Sequence, residues 1–188
     1  MRLFLAREAM DPHLRLASDL LKAHVPAGTK IKAGAKLAAF YTGWYAKQWV
    51  NPSLWDSRGE YGILGDHVHF VEAQAHHLAR TMFHFMGLYR DHLERRQILL
   101  GHLVEIGTEL FAMSATCAYA RKLAEDPEKV TAMELADHFC AEARHRVEDH
   151  FRALDRDSDR IAREVGKDVL AGEMAWLEEG VAWLGSKI

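Results

Sequence analysis

One long apolar segment, residues 97–122, constrains the fold of this chain more than any other. Its large apolar side chains recur every three or four positions, at Leu99, Leu103, Ile106, Leu110, Met113 and Cys117. On a helix these residues share one broad face, and the small residues between them let neighbouring segments approach closely. A helix of 26 residues is about 39 Å long. The sequence therefore predicts a central helix around which the others pack, ending where Asp126 and Pro127 follow.

The same spacing predicts the remaining helices. We expect them at about 2–24, 33–50, 66–95 and 131–154, with a last helix beginning near Ser158. Thr131 and Glu134 have the spacing of a capping box at a helix start. Asn51 to Gly65, rich in glycine, predicts a loop. No strand alternation occurs, so we predict an all-α fold, an antiparallel bundle of about four long helices with an N-terminal helix and a basic aromatic connector.

Composition is that of an ordinary soluble domain. The 188 residues are 49% hydrophobic and 27% charged. Arg7 and Glu8 fall where a secretory signal would be apolar, and we find no run of about 18 apolar residues that could span a bilayer. We therefore expect a cytoplasmic protein, in which Cys117 and Cys140 are buried thiols rather than a disulfide.

Positive charge is concentrated near the N-terminus. Residues 1–55 carry a net charge of +5, and residues 56–188 carry −8. From Thr29 to Trp55 there is no acidic residue, and the segment carries four lysines among six aromatic residues, a composition typical of a helix lying in a membrane interface. The same aromatic residues could instead pack on the bundle, with the lysines in solvent. The candidate contacts with an anionic membrane are Lys30, Lys32, Lys36, Phe40, Trp44, Lys47 and Trp49.

Several histidines and carboxylates raise the alternative of a carboxylate-bridged di-metal oxidase. Glu142 and His145 have the Glu-x-x-His spacing of such bundles, and further ligands could come from Glu72, His76, His102, Glu105 and Glu109. A second exact Glu-x-x-His is missing from the sequence, so we predict no metal site. His84 and His138, each beside a phenylalanine, are predicted to be half-buried packing residues. Nucleotide-binding and nucleophile motifs are absent, and the later arginines alternate with acids, which argues against nucleic-acid binding.

Three stretches of the sequence resemble one protein family. They are QILLGHLVEIGTELFAMSATCAYAR, the break at Pro127, and MELADHFCAEARHRVEDHFRAL. They look like the C-terminal helical extension of the very-long-chain type acyl-CoA dehydrogenases, where Q-x-L-L-x-x-L-x-x-x-x-x-x-L-Y-A-M precedes a helix containing C-x-E-A-x-x-R. The segment MRLFLAREAM is similar to the Q-R-L-x-x-A-R-E segment that closes the catalytic helical domain in that superfamily.

The resemblance implies an organisation and a function. It implies the last helix of a catalytic domain at 1–25, a connector at 26–65 and a C-terminal helical bundle at 66–188. In the family a glutamate before the position of Met1 abstracts the substrate's α-proton and FAD accepts the hydride, so no catalytic or flavin residue carries over to this chain. It therefore implies a module that is colourless and inactive alone and pairs with a catalytic flavoprotein domain or a second copy, at an inner membrane face where its connector docks. A stand-alone structural module is the remaining alternative.

Overall fold

A computed structural model describes residues 8, 11, 26–49, 58–154 and 158–179. These residues form no strand and five helices of more than two turns. The helices are α1 (Ala27–Lys47), α2 (Gly65–Tyr89), α3 (Gln97–Leu123), α4 (Ala132–Leu154) and α5 (Ser158–Leu170). Shorter helical segments lie at Arg58–Tyr61, Gly62–Leu64, Arg90–Arg95, Pro127–Lys129 and Ala175–Glu178. The predicted all-α bundle is confirmed.

The central helix and its partner agree closely with the sequence. α3 begins at Gln97 and ends one residue after the predicted end, and α4 runs from Ala132 to Leu154. Between them the Asp126 side chain accepts a hydrogen bond from the amide of Glu128 (3.1 Å) and so caps a single turn that begins at Pro127. Proline fits this first helical position because it needs no amide hydrogen there.

Other boundaries differ from those predicted. α1 begins six residues early, at Ala27, because Pro26 supplies the carbonyl for its first turn and Gly28 does not prevent helix formation. The expected loop is helical from Arg58 onward, and it turns at Gly62, whose φ of +53° is a conformation that glycine readily adopts. α2 ends at Tyr89 rather than near residue 95, because Arg90 has a positive φ and breaks the helix. The helix predicted at 2–24 lies outside the described residues, apart from two positions.

The core is built on α3. All six apolar residues that defined this helix in the sequence are at most 7% exposed. Its first half packs on the end of α2 and its second half on the beginning of α2, so the two helices are antiparallel. α4 is antiparallel to α3 on another side, where Cys140 and Val147 are completely buried. Small residues such as Ala136 and Ala143 bring α4 close to α3.

α3 is also the one described helix that is long and apolar enough to cross a membrane, judged by length and composition alone. This does not contradict the expectation that no uninterrupted run of about 18 apolar residues occurs, because His102, Glu105 and Glu109 interrupt α3. The core helix of a soluble bundle satisfies the same criterion, and α3 lies between α2 and α4 with its apolar face against both.

The chain divides into two compact units, residues 1–154 and 155–188. The described part of the second unit consists of α5 and the turn at Ala175–Glu178. Ile161, Val165 and Val169 follow one another at four-residue intervals, which places them along one side of α5, and all three are exposed.

Candidate functional site

α1 packs on α2 through aromatic side chains. The rings of Tyr41, Trp44 and Tyr45 lie 4.9, 5.7 and 5.5 Å from the ring of Phe83, measured between centroids. Aromatic pairs at such distances are attractive beyond their apolar burial. Burial also raises the pKa of the Tyr41 phenol. Tyr41, Trp44 and Tyr45 are close enough in spacing to share one side of the helix. Since all three contact Phe83, this is the side of α1 that faces the bundle.

Hydrogen bonds fix the C-terminal end of α1. Nδ1 of His76 is 2.8 Å from the side-chain oxygen of Gln48, and the Arg80 guanidinium donates to the Gln48 carbonyl. The same guanidinium lies 4.5 Å above the Trp49 ring, a favourable cation–π arrangement. The Tyr45 hydroxyl is 2.9 Å from Nε2 of His84. These contacts anchor the end of α1 on the middle of α2.

The opposite side of α1 is basic. Lys32, Lys36, Phe40 and Lys47 are exposed and follow a spacing of four, four and seven residues, which keeps them along one stripe of the helix. Phe40 is 44% exposed. Lys30 also lies on α1. This exposed row contains three lysines and one aromatic ring, and we call it the basic stripe.

The two tryptophans among the candidate membrane contacts lie elsewhere. Trp44 is half-buried on the side that packs against Phe83. Trp49 is 64% exposed, but one face of its ring is occupied by Arg80. Phe40 and the lysines of the basic stripe are therefore exposed along α1. Trp44 adjoins them, four residues after Phe40 and three before Lys47, but its ring packs on Phe83, whereas Trp49 is covered on one face by Arg80.

The candidate di-metal ligands are not assembled. Glu142 and His145 are exposed on α4, while His76 is bound to Gln48. Glu109 forms two hydrogen bonds, of 2.8 and 3.0 Å, with Arg146, and these bonds raise the pKa of that guanidinium. Within the described ranges, no group of three or more His, Cys, Asp or Glu side chains could hold a metal ion.

One histidine of that set, His102, meets a histidine outside it. Nδ1 of His102 on α3 is 3.0 Å from Nδ1 of His150 on α4, and both side chains are half-buried. Sequence reasoning considered His102 with other partners and missed His150. A signal was available, because helices joined by a short break place residues about equally far from that break side by side. His102 lies 25 residues before Pro127, and His150 lies 23 after it.

The remaining histidines of interest also differ from expectation. His84 and His138 are exposed, so the prediction that they would be half-buried was wrong. Among the described residues, the buried histidine is instead His67, which is 7% exposed. Its Nε2 lies 2.9 Å from a carboxylate oxygen of Asp137, and this contact joins the beginnings of α2 and α4. Nearby, Arg144 donates to the Asp66 carbonyl, which ties the same two helices together.

The two cysteines are adjacent free thiols. Cys117 and Cys140 are at most 1% exposed, and their Sγ atoms are 3.6 Å apart, against about 2.05 Å in a disulfide. The hydrogen bond between them lowers the pKa of Cys117 and raises that of Cys140. This arrangement agrees with the predicted reduced thiols.

Comparison with known proteins finds relatives of this chain by sequence. The chain is 41% identical over 184 residues to the probable acyl-CoA dehydrogenase FadE10 of Mycobacterium tuberculosis, and FadE10 of Mycobacterium bovis matches equally well. The match covers 96% of this chain and lies in the C-terminal part of the relative. The resemblance seen in the sequence is thereby confirmed. The chain spans 28% of the length of these curated relatives, and no family model and no solved structure matches it.

Proposed function

We propose that this chain is a helical module from the C-terminal region of an FAD-dependent acyl-CoA dehydrogenase of fatty-acid β-oxidation. The observation that carries the proposal is the 41% identity to FadE10 over 96% of the chain. Because those relatives are more than three times as long as the aligned part, we assign the flavin cleft and the catalytic base to the rest of such a protein. The module then serves assembly of the enzyme rather than its chemistry.

Exposed apolar side chains support a role in assembly. Phe111, Tyr119 and Leu135 are 75%, 63% and 72% exposed on α3 and α4. Large apolar side chains that remain on a surface after the core has formed are candidates for contact with another protein surface. We propose that they are covered by the catalytic flavoprotein part or by a second copy of the module.

A segment exchange in FadE10 of Mycobacterium tuberculosis tests the proposal. Three proteins are compared: FadE10 itself, FadE10 lacking the matched segment, and FadE10 with that segment replaced by these 188 residues. We expect the deletion to lose bound flavin or its native mass, and the exchange to restore both together with acyl-CoA dehydrogenation. An exchange protein that behaves like the deletion would count against the proposal.

The isolated chain provides a second test. We expect it to be colourless and inactive towards acyl-CoA with an artificial electron acceptor, since the cofactor and base belong to the other part. The exchange protein, assayed in parallel, is the positive control. One FAD bound per isolated chain, or measurable dehydrogenation, would contradict this assignment.

We also propose that the basic stripe docks the module on the inner face of an anionic membrane. The stripe combines Lys32, Lys36 and Lys47 with the exposed ring of Phe40, and Lys30 lies on the same helix. A lysine near an anionic surface contributes about 1 kcal/mol, so four contribute about 4 kcal/mol. Binding of this strength would be reversible and weakened by salt.

Cosedimentation with phosphatidylserine-containing vesicles tests the docking. The test variant changes Lys30, Lys32, Lys36 and Lys47 to Gln. The matched control changes four basic residues outside α1 to Gln, namely Lys122, Arg152, Arg163 and Lys167. We expect the control to bind like the unchanged chain and the test variant to lose binding. Equal binding of both variants, or no binding of the unchanged chain at low salt, would assign the lysines to solvent alone.

A further inference from the structure

Two nucleophilic side chains lie in contact inside the bundle. Sγ of Cys117 on α3 is 3.6 Å from Sγ of Cys140 on α4, and both residues are at most 1% exposed. Neither the packing of the core nor the proposed acyl-CoA module uses the chemistry of these thiols. Two thiols held in contact across two helices can react with each other once an oxidant reaches them.

We propose that Cys117 and Cys140 form a reversible disulfide on exposure to hydrogen peroxide, which joins α3 covalently to α4. Both are free thiols in the structure, which is the reduced state of the pair. The two sulfurs must approach by about 1.5 Å to reach the bond length of a disulfide. Ala136 and Ala143 belong to the same buried cluster, and these small side chains allow α4 to move closer to α3. The inference does not rest on the acyl-CoA dehydrogenase proposal.

Burial favours the disulfide over other modifications of these sulfurs. A disulfide removes two hydrogen atoms and adds no atom, so a closely packed core can accommodate it. An alkyl group or a glutathione molecule adds several heavy atoms, and extra volume inside a packed core is destabilising. Hydrogen peroxide is larger than water by one oxygen atom, so a small local opening of the helices admits it. We therefore expect thiols that resist bulky reagents and still oxidise to one product.

The electrostatic surroundings favour Cys117 as the attacking sulfur. Its pKa is lowered by the hydrogen bond with Cys140 and, to a smaller extent, by the Arg144 guanidinium. Asp137 has the opposite effect, but it is paired with His67. The same hydrogen bond is the largest cause of the raised pKa of Cys140. Since the thiolate is the reactive form, Cys117 reacts first, and its conversion to an uncharged sulfenic acid removes that cause.

The reaction consumes one hydrogen peroxide. The Cys117 thiolate attacks a peroxide oxygen, the O–O bond breaks, and the hydroxide that leaves takes up the proton that Cys117 had lost. The Cys140 sulfur then attacks the Cys117 sulfur, so that the S–S bond forms and the S–O bond breaks. The second hydroxide leaves with the Cys140 proton. The two thiols lose two electrons and the peroxide becomes two waters, while dithiothreitol returns the electrons by thiol–disulfide exchange.

The crosslink should stabilise the bundle. It joins residues 23 positions apart across the break at Pro127, and a disulfide of such a span restricts the unfolded chain. We expect the unfolding temperature of the oxidised chain to be higher than that of the reduced chain by about 5–10 °C. The pair would thus report oxidising conditions as tighter association of α3 with α4.

Peroxide treatment of the reduced chain tests the pair. Thiols are counted in denaturant after quenching, before and after addition of dithiothreitol, and peptide mapping identifies the linked residues. In parallel, N-ethylmaleimide measures access for a bulky reagent, and each rate is divided by the rate of the same reagent with the chain in urea. We expect folding to slow the peroxide reaction at least about tenfold less than it slows alkylation. Dithiothreitol should restore both thiols and the lower unfolding temperature.

Cys140→Ala is the control, because a single thiol cannot form the link. We expect peroxide to leave its unfolding temperature unchanged, and the measurements on the unchanged chain stand even if this variant folds poorly. Four results would overturn the proposal: thiols that stay reduced in the folded chain, thiols that dithiothreitol does not restore, a disulfide that forms only as fast as full opening permits, and an oxidised chain that is no more stable than the reduced one.

Discussion

Phe83→Ala should detach α1 from the bundle without unfolding the core. Phe83 contacts three aromatic rings of α1, at 4.9–5.7 Å between centroids. Each aromatic pair is worth about 0.5–1.5 kcal/mol, and truncation of a fully buried phenylalanine costs about 3–5 kcal/mol. Because Phe83 is only half-buried, we expect the contact between α1 and α2 to weaken by about 2–3 kcal/mol.

Amide hydrogen exchange resolves this change along the chain. A loss of about 2–3 kcal/mol corresponds to exchange about 30- to 150-fold faster, provided that exchange occurs through local opening. We expect this acceleration between residues 34 and 48, because the rings around Phe83 join this part of α1 to α2 and helices in proteins owe most of their stability to tertiary packing. Amides of α3 should change much less, since Phe83 is not among the residues packed around its buried face.

Phe111→Ala is the matched control. Phe111 is 75% exposed, so its truncation should change stability by less than about 0.5 kcal/mol. The reasoning fails if Phe83→Ala leaves exchange in α1 unchanged, which would mean that the hydrogen bonds of Gln48 and Arg80 suffice. It also fails if α3 is accelerated as much as α1, which would mean that α1 belongs to the global folding unit.

Three further predictions concern the core and the break between α3 and α4. Met113→Ala, at a completely buried position, should lower the free energy of unfolding by about 2–5 kcal/mol, measured by urea unfolding, whereas Leu135→Ala at an exposed position should change it little. Lys129→Gln should raise the pKa of Asp126, because the hydrogen bond from Lys129 is the largest cause of its lowering in the folded chain; NMR titration of the Asp126 carboxyl carbon measures the change. Because the folded-state pKa is lowered, the stabilisation that this carboxylate contributes is present at neutral pH and is lost as pH falls through that pKa. Both cysteines should resist alkylation in the folded chain and react only with denaturant present, since both are buried free thiols; rapid reaction without denaturant would contradict the packing.

The sequence predicted the parts of the fold that depend on periodic burial. The spacing from Leu99 to Cys117 determined the central helix and its buried face, because a helix with such a face must cover it on several sides. The helix ends that were predicted wrongly depend on single backbone conformations, such as the positive φ of Arg90, which ends α2. Arginine gives no sign in the sequence that it will adopt such a conformation.

Contacts between helices were harder to predict than the helices themselves. The His102–His150 pair and the buried His67–Asp137 pair each join residues at least 48 positions apart. Periodicity shows which face of a helix is apolar, but it does not give the alignment of one helix against another. The short break at Pro127 aligns α3 with α4 and so accounts for the His102–His150 pair, whereas the His67–Asp137 pair joins α2 to α4, which are not consecutive in the chain.

The two interpretations of the basic aromatic segment, packing or membrane contact, were treated as alternatives because both used the same residues. The structure divides those residues between a half-buried face of α1 and an exposed one. Tyr41, Trp44 and Tyr45 lie against Phe83, while the residues of the basic stripe are exposed. Packing on the bundle therefore leaves the lysines and Phe40 available to an anionic surface. The proposed membrane docking needs no detachment of α1, and it follows that Phe83→Ala and the lysine substitutions act on separate interactions.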